Sequence, residues 1–558
     1  MDSNLFDQLD QIAGGDEGKA QWAARAPYRP HERFDLMLVP CVRGWQDEPE
    51  AVAALERIEA EPWVAEVERG EKQAWLRLSD EWVERTGEAL TGGESERSLH
   101  TDLAAGNTYA LNFWDANSTK ALHIGHLRNL ALGNALGSAL TEAGGRVERR
   151  SIICDVGRSM GEAMAGVVKS GRHTQSTPEN GQKTDHFVGA CYAEYVKSGP
   201  SLNGRGDDNP ATSLTRELDV HHDSADDLLQ AVFDGDQEAI ELWSKTRKWV
   251  ISGQRKTLAR LGISFDRVFF ESDFLPEVAE LSKLGMDEGM LTRRTDGAII
   301  YLTGREELEE MPLVRADGLP TQHMRALAYW MAAPGLEGTT SIQVCGLEWV
   351  AHVTCRRQLM DLMMERGAGA DINHPAHDVF HGMVSKRRQS VSSSKKDALL
   401  IDDLAEWIEE QVEAEPERAE IRRRHPAAEF LVPQVALGFF LMHTNTKPLD
   451  FEPEKLLREE QSLGWDLARA RAHNGAGSGA APPEPARDPD YRFAVVQSEM
   501  YRRHLMQAVE RLDVSPLARY VAHLSRWYLE SDRDPHVQDA IQAALAQGAR
   551  GLGLEATR

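Results

Sequence analysis

Apolar and polar positions alternate most informatively in the second hundred residues. Residues 109–114 (YALNFW) form a short apolar run that predicts a buried strand. A loop rich in Asn, Ser and Thr follows. Then Leu127, Leu130, Leu132, Ala135, Leu136 and Leu140 recur near a 3.6-residue spacing, which predicts a helix over 124–145. Residues 148–153 (ERRSII) predict a second strand. Strand, helix and strand in this order make a βαβ unit, which requires a parallel sheet. The first turn of such a unit is where ligands bind in doubly wound folds.

Elsewhere the pattern is coarser. Residues 66–79 predict a hairpin turning at Gly70, and 80–90 a helix capped by Ser79. Residues 239–261 and 398–411 predict helices, and 267–270, 299–302 and 341–344 short strands. Nearly everything after Glu429 has helical spacing, broken by a Gly/Ala/Pro linker at 474–490. Residues 92–102 are polar enough for a linker. Residues 172–223 look like an insertion around one apolar stretch at 187–195. There is no internal repeat. The expected units are an α+β module over 1–100, an α/β domain over 105–430 with an insertion around 165–270, and a helical domain over 431–558.

Composition narrows the function. The 558 residues carry a formal charge of −26, which argues against a protein that simply coats nucleic acid. Residues 431–558 hold 15 basic and 17 acidic side chains, so the negative charge is concentrated in the first 430 residues. The five cysteines form no CxxC pair, which disfavours a disulfide framework or a zinc ribbon. The N-terminus, MDSNLFDQLDQ, has no basic start and no apolar core, so no secretory leader is expected. With no apolar run of about 18 residues, no membrane span is expected either, and the location reads as cytoplasmic.

The chemistry begins at His123-Ile124-Gly125-His126, at the start of the helix of the βαβ unit. A helix N-terminus offers unbonded N–H groups and a positive dipole end to phosphate. Gly125 would let a flat base approach the backbone. Two histidines three residues apart can donate to phosphate oxygens. They can also bind a metal, but no third ligand lies nearby.

With these residues in place, 112–130 (NFWDANSTKALHIGHLRNL) resembles the signature of class I aminoacyl-tRNA synthetases, specifically the arginyl-tRNA synthetase family. The match runs through Asn117, Lys120, His123 to His126, Leu127 and Arg128. Cys154-Asp155-Val156-Gly157 resembles the family's Gly-Asp-Trp-Gly, 235–265 its connecting helix, and 311–329 its Asp-Gly strand and following helix. Residues 515–520 and 551–556 resemble the anticodon-binding bundle, and the N-terminal module the family's extra tRNA-contacting domain. The resemblance implies a Rossmann-like catalytic domain flanked by an N-terminal α+β domain and a C-terminal all-α bundle. It implies ATP-dependent formation of an aminoacyl adenylate and transfer of the acyl group to the 3′ end of tRNA.

Carried over position by position, the resemblance makes His123, His126, Lys120 and Lys395 catalytic. ATP would meet His123, Gly125, His126, Gly346, Lys395 and Lys396. The mobile lysine loop corresponds to 390–396 (SVSSSKK), where the family's leading lysine is missing and Lys396 replaces a glycine. Lys120 matches the lysine that members with a degenerate loop use instead, and Lys386, Arg387 and Arg388 are near enough in sequence to contribute.

The amino-acid pocket departs furthest. It maps to Asn112, Asn117, Gln322 and Ala326. The family has a Tyr where this chain has Gln322, an Asp where it has Ala326, and an acid where it has Asn112. A guanidinium in a closed site needs carboxylate partners. Either another amino acid is the substrate, or Asp115 or Glu348 supplies the missing charge. In the C-terminal domain Arg502, Arg503, Arg511, Arg519 and Arg526 could meet phosphates and Trp527 and Tyr528 a base, or they form the wet face and core of a bundle. Arg422 to His425 reads as a solvated helix end. The implied partners are ATP with its Mg²⁺ as substrate, an amino acid and tRNA, acting on a monomer with no membrane and no protein-bound metal. Two alternatives remain: a biosynthetic relative making an amide product from the adenylate or charged tRNA, and a non-catalytic tRNA-binding relative.

Overall fold

A computed structural model describes residues 4–13, 21–91, 102–175, 181–198, 224–368, 376–386, 389–390, 399–443, 446–473, 485–530 and 535–555. The hairpin forms where alternation places it. Val64–Arg69 pairs antiparallel with Ala74–Leu78, and Ala74, Leu76 and Leu78 point into the core. Leu36–Pro40 and Trp22–Arg25 extend this sheet on the far side of Ala74–Leu78. Ser79 Oγ accepts from the Trp82 N–H at 3.3 Å and caps the helix Asp80–Thr91.

The central sheet contains β1 (Thr108–Trp114), β2 (Arg146–Ile153), β3 (Arg267–Phe270), β4 (Thr340–Gly346) and β5 (Ala376–His381), all parallel, in the order β5-β4-β1-β2-β3. This is a doubly wound order. Its switch point lies between β1 and β4, so the C-terminal ends of those two strands frame a crevice. Helix α1 (Ile124–Glu142) connects β1 to β2 and is buried on nearly every face. That explains its apolar content and its Gly133, where a Cβ would collide with Phe113.

Between β2 and β3 run α2 (Arg158–Lys169), α3 (Thr184–Ser198), the short helix Ser224–Phe233 and α4 (Gln237–Arg260). After β3 an antiparallel sheet of Thr292–Arg293, Ile299–Arg305 and Leu308–Val314 leads into α5 (Gln322–Ala332), and α6 (Val350–Glu365) follows β4. Helix α7 (Ile401–Ala414) begins later than the spacing suggests. Leu399 and Ile401 instead bond to the residues before α1: the Ile124 N–H donates to Leu399 O at 3.1 Å and the Ile401 N–H to Leu122 O at 3.0 Å.

The C-terminal helices Leu431–Leu441, Leu463–Ala472, Pro489–Arg511, Ser515–Leu529 and Pro535–Gly551 pack on the N-terminal module. Arg492, fully buried, donates to both Asp35 oxygens at 2.8 and 2.6 Å and to Asp80 at 2.7 Å. No described helix is long and apolar enough to cross a membrane.

Candidate active site

The loop from β1 into α1 is pinned before any ligand is considered. Ser118 N–H and Oγ both donate to Cys154 O at 2.9 Å, and Gln254 on α4 donates to the carbonyls of Asn117 and Lys120 at 3.0 and 2.8 Å. At the helix start the two histidine rings accept from backbone N–H groups of the same turn. The Gly125 N–H donates to His123 Nδ1 and the His123 N–H to His126 Nδ1, both at 3.1 Å. A backbone N–H can only donate, so each Nδ1 is the bare acceptor. Each neutral ring therefore carries its proton on Nε2. Gly125 has a local reason as well: a Cβ there would sit 2.9 Å from His123 Cε1, so the ring folds over it only because the position is glycine.

A cavity of about 540 Å³ opens at the switch point. Asn117, Lys120, His123, Gly125, His126, Gln322, Ala326 and Gly346 all line it. Gln322 and Ala326 lie one turn apart on α5. Gly346 ends β4, and the Glu348 carboxylate fills the space that a Cβ there would take. Asn112 is fully buried behind the wall and donates to Asp115 at 2.6 Å. Lys395 and Lys396, with Arg387 and Arg388, lie outside the described residues.

Asp115 and Glu348, the two acids the sequence offers for the missing charge, line the same cavity, with several groups that the sequence does not single out. Arg325, fully buried, pairs with Glu271 at 2.5 Å, and Arg158 with Glu162 at 3.3 Å and with Asp226 at 2.7 Å. Asp115 opens onto the cavity, and its surroundings raise its carboxyl to about 6, chiefly by desolvation and against a hydrogen bond from Asn112. Arg356 on α6 donates to Gln343 on β4 at 2.9 Å, and Gln343 donates to Asp115 at 3.4 Å. Arg356 did leave a sequence signal. It occupies the apolar stripe of α6 with Val353, Met360 and Met363, where a charge is out of place.

Arg128, also part of the signature, is fully buried and donates to Gly382 O at 2.7 Å and Lys447 O at 2.9 Å. It fastens α1 to the strand that leads into the lysine-loop segment, while Leu399 and Ile401 fasten the segment that leaves it. At the start of α7, Asp402 takes hydrogen bonds from Lys183 at 2.6 Å, His186 at 2.8 Å and Thr257 at 3.0 Å. Asp185, His186 and Asp402 have the spacing of a cation site. The Lys183 ammonium, 3.0 Å from Asp185, already supplies that positive charge.

In the C-terminal helices Trp527 and Tyr528 are buried core residues and cannot stack on a base. Arg502 is committed to Asp7 and Asp102 at 2.7 and 2.6 Å, and Arg526 to Asp466 at 2.8 Å. Arg511 and Arg519 remain exposed. Arg422, Arg423 and Arg424 pair locally with Glu413 and Glu420 on a helix with no buried residue, whereas His425 is buried.

No protein-family model matches the chain. It is 31% identical over 366 residues to an arginine–tRNA ligase of Borrelia turicatae, covering 64% of this chain and 58% of that protein. It is 26% identical over 378 residues to the arginine–tRNA ligase of Treponema pallidum, covering 66% and 60%. The chain thus spans less than two thirds of the length of these curated relatives. The arginyl-tRNA synthetase of Thermus thermophilus superposes with a TM-score of 0.68 at 19% identity over 99% of both chains. That of Plasmodium falciparum gives 0.66 at 14% identity over 99% of this chain and 98% of its own. In sequence the chain is similar to arginine–tRNA ligases, and in fold to arginyl-tRNA synthetases.

Proposed function

We propose that the protein activates an amino acid other than arginine with ATP and transfers the acyl group to the 3′ end of tRNA. The observation that carries this is a histidine pair held ready for phosphate beside a cavity with Gln322 and Ala326 in its wall and Asn112 buried behind it, where the family has a tyrosine and two acids. In the first step an amino-acid carboxylate oxygen attacks the α-phosphorus of ATP. A C–O–P bond forms, the bond to the bridging oxygen breaks, and pyrophosphate leaves with its Mg²⁺. His123 and His126 donate Nε2–H to the phosphate oxygens as charge builds on them, and Lys120 adds a positive charge. The fixed tautomers mean that neither ring reorients during the step. In the second step a ribose hydroxyl of tRNA attacks the acyl carbon and AMP departs. Lys395 and Lys396 would contact the leaving pyrophosphate, and Gly346 the adenine side.

On this reading the units 1–100 and 431–558 face tRNA and 105–430 performs the chemistry. A second reading has one observation in its favour. With Arg502, Arg526, Trp527 and Tyr528 committed internally, a nucleophile other than tRNA would accept the acyl group and yield an amide.

Pyrophosphate release from ATP across a panel of amino acids, with and without total tRNA, tests the reading. Release with one amino acid other than arginine is expected. Release with arginine alone would return the chain to ordinary arginine charging, and no release in any well would remove the enzyme reading.

A further inference from the structure

Arg356 is 6% exposed, lines the cavity, and makes one hydrogen bond among the described residues, to the Gln343 side-chain oxygen. Among the described residues its Nε has no hydrogen-bond partner. The neighbouring acid Asp378 is engaged in a two-point pair with Arg357 at 2.6 and 2.7 Å. The other cavity guanidiniums are different: Arg158 and Arg325 each have a carboxylate in contact. A guanidinium taken out of water without a carboxylate is costly, and its planar fork matches a carboxylate with two parallel hydrogen bonds.

From Arg356 the polar chain runs through Gln343, whose amide is oriented by accepting from Arg356 and donating to Asp115, to Asn112. Gln343 and Asn112 are register partners across β4 and β1, at the switch point. The cavity therefore offers a cation at Arg356 and a carboxylate at Asp115, joined by a fixed amide.

We propose, resting on the amino-acid-activation reading above, that the substrate is an amino acid with an anionic side chain, whose side-chain carboxylate pairs with Arg356 while its ammonium faces Asp115. The reacting α-carboxylate is the poorer partner for Arg356. A guanidinium clamped on that group would draw off the electron density it needs to attack phosphorus. An arginine substrate would bring a second guanidinium beside Arg356; Gln322 and Ala326 in the wall carry no charge, and Glu162 and Glu271 are already paired with Arg158 and Arg325, which leaves Asp115 and Glu348 to offset two cations.

The test is ATP–pyrophosphate exchange with the full-length protein and total tRNA, supplied with L-aspartate, L-glutamate, L-2-aminoadipate, L-asparagine, L-glutamine or L-arginine. One of the three acidic amino acids should exceed its neutral amide and arginine by at least tenfold. Arg356→Gln should lower kcat/KM for that amino acid by at least 100-fold, chiefly through KM, and change that for the neutral amides by less than threefold. Should Arg356→Gln melt early, the wild-type protein decides: millimolar acidic amino acid should raise its Tm and arginine should not. Exchange driven by arginine or a neutral amino acid, with the acidic ones inert, overturns this inference and leaves activation standing. Unchanged selectivity in a folded Arg356→Gln protein also overturns it. Exchange with no amino acid at all removes the activation reading and this inference with it.

Discussion

Two walls of one cavity are built differently. On the α1 wall, Lys120, His123, Gly125 and His126 fall within seven consecutive residues; N–H groups of the same turn set the histidine rings, and Gln254 on α4 holds the Lys120 carbonyl. On the opposing wall, Asp115, Gln343 and Arg356 come from the loop after β1, β4 and α6, and with Asn112 of β1 behind them the side chains hold one another. The first wall is shaped mainly by local sequence and braced from α4 and the segment before α7, with no side chain of the opposing network in these bonds. The second is a network in which each substitution changes the demand on the next. A wall of the first kind can persist while specificity on the other is rewritten.

The largest effect should come from the first wall. His123→Asn keeps a side-chain acceptor at the N-cap, so stability should hold within about 1 kcal/mol. It removes the Nε2 donor, so pyrophosphate exchange should fall on the order of 100-fold with the amino-acid KM nearly unchanged. A loss confined to amino-acid KM would show that the two walls are not separable.

The second wall should show coupling instead. Ala326→Asp alone returns an acid to α5 but leaves Arg356 across the cavity, so arginine-dependent exchange should rise only a few-fold. Combined with Arg356→Leu, the rise should exceed the product of the single effects by about tenfold, a coupling of about 1.4 kcal/mol. Simple multiplication of the two effects would mean that the network does not act as one.

The contrast also explains what was legible from sequence. The βαβ unit, the helix cap at Ser79 and the histidine turn could be read because period, capping and turn chemistry act over a few residues. The residues matched to the amino-acid pocket were found by position, and that told what is missing there, not what replaces it. Glu271, Gln343 and Arg356 reach the cavity only through the sheet order β5-β4-β1-β2-β3, which joins segments more than 200 residues apart. For Trp527 and Tyr528 the sequence leaves a base and the core equally open, and the structure buries both. On a helix that is apolar on one face, an aromatic pair gives no local sign of which neighbour will cover it.

Asp115 offers a pH test of the second wall. With its carboxyl raised to about 6, it is mostly protonated at pH 5 and ionised at pH 7. If it faces the substrate ammonium, kcat/KM for the amino acid should climb about tenfold between those values and then level off. If ATP meets the α1 wall, its KM should stay flat. The linkage runs the opposite way. A raised carboxyl stabilises the fold below 3.8, and that contribution is lost as pH rises through about 6. Asp115→Asn should therefore melt no earlier than wild type at pH 8 while binding the amino acid more weakly.

The smallest effect belongs to the anchor beside the first wall. Burial would raise the Asp402 carboxyl, but hydrogen bonds from His186 and Lys183 outweigh it and hold it at about 2. The same hydrogen bond raises His186 above its usual 6.5. A raised histidine stabilises the fold fully below 6.5, and that contribution disappears as pH rises through the elevated value. Asp402 keeps its charge over that whole range, so only the histidine changes. His186 is partly exposed, so the change should stay below about 1 kcal/mol. It should appear first where Ile401 donates to Leu122, at the junction of α7 with the histidine turn. Hydrogen exchange at the Ile401 amide, corrected for intrinsic rate, should quicken a few-fold as pH rises past the elevated His186 value, and His186→Gln should abolish that dependence. An unchanged profile in His186→Gln would place the anchoring in Lys183 and Thr257 alone, and the α1 wall would then be insulated from pH as well as from the opposing wall.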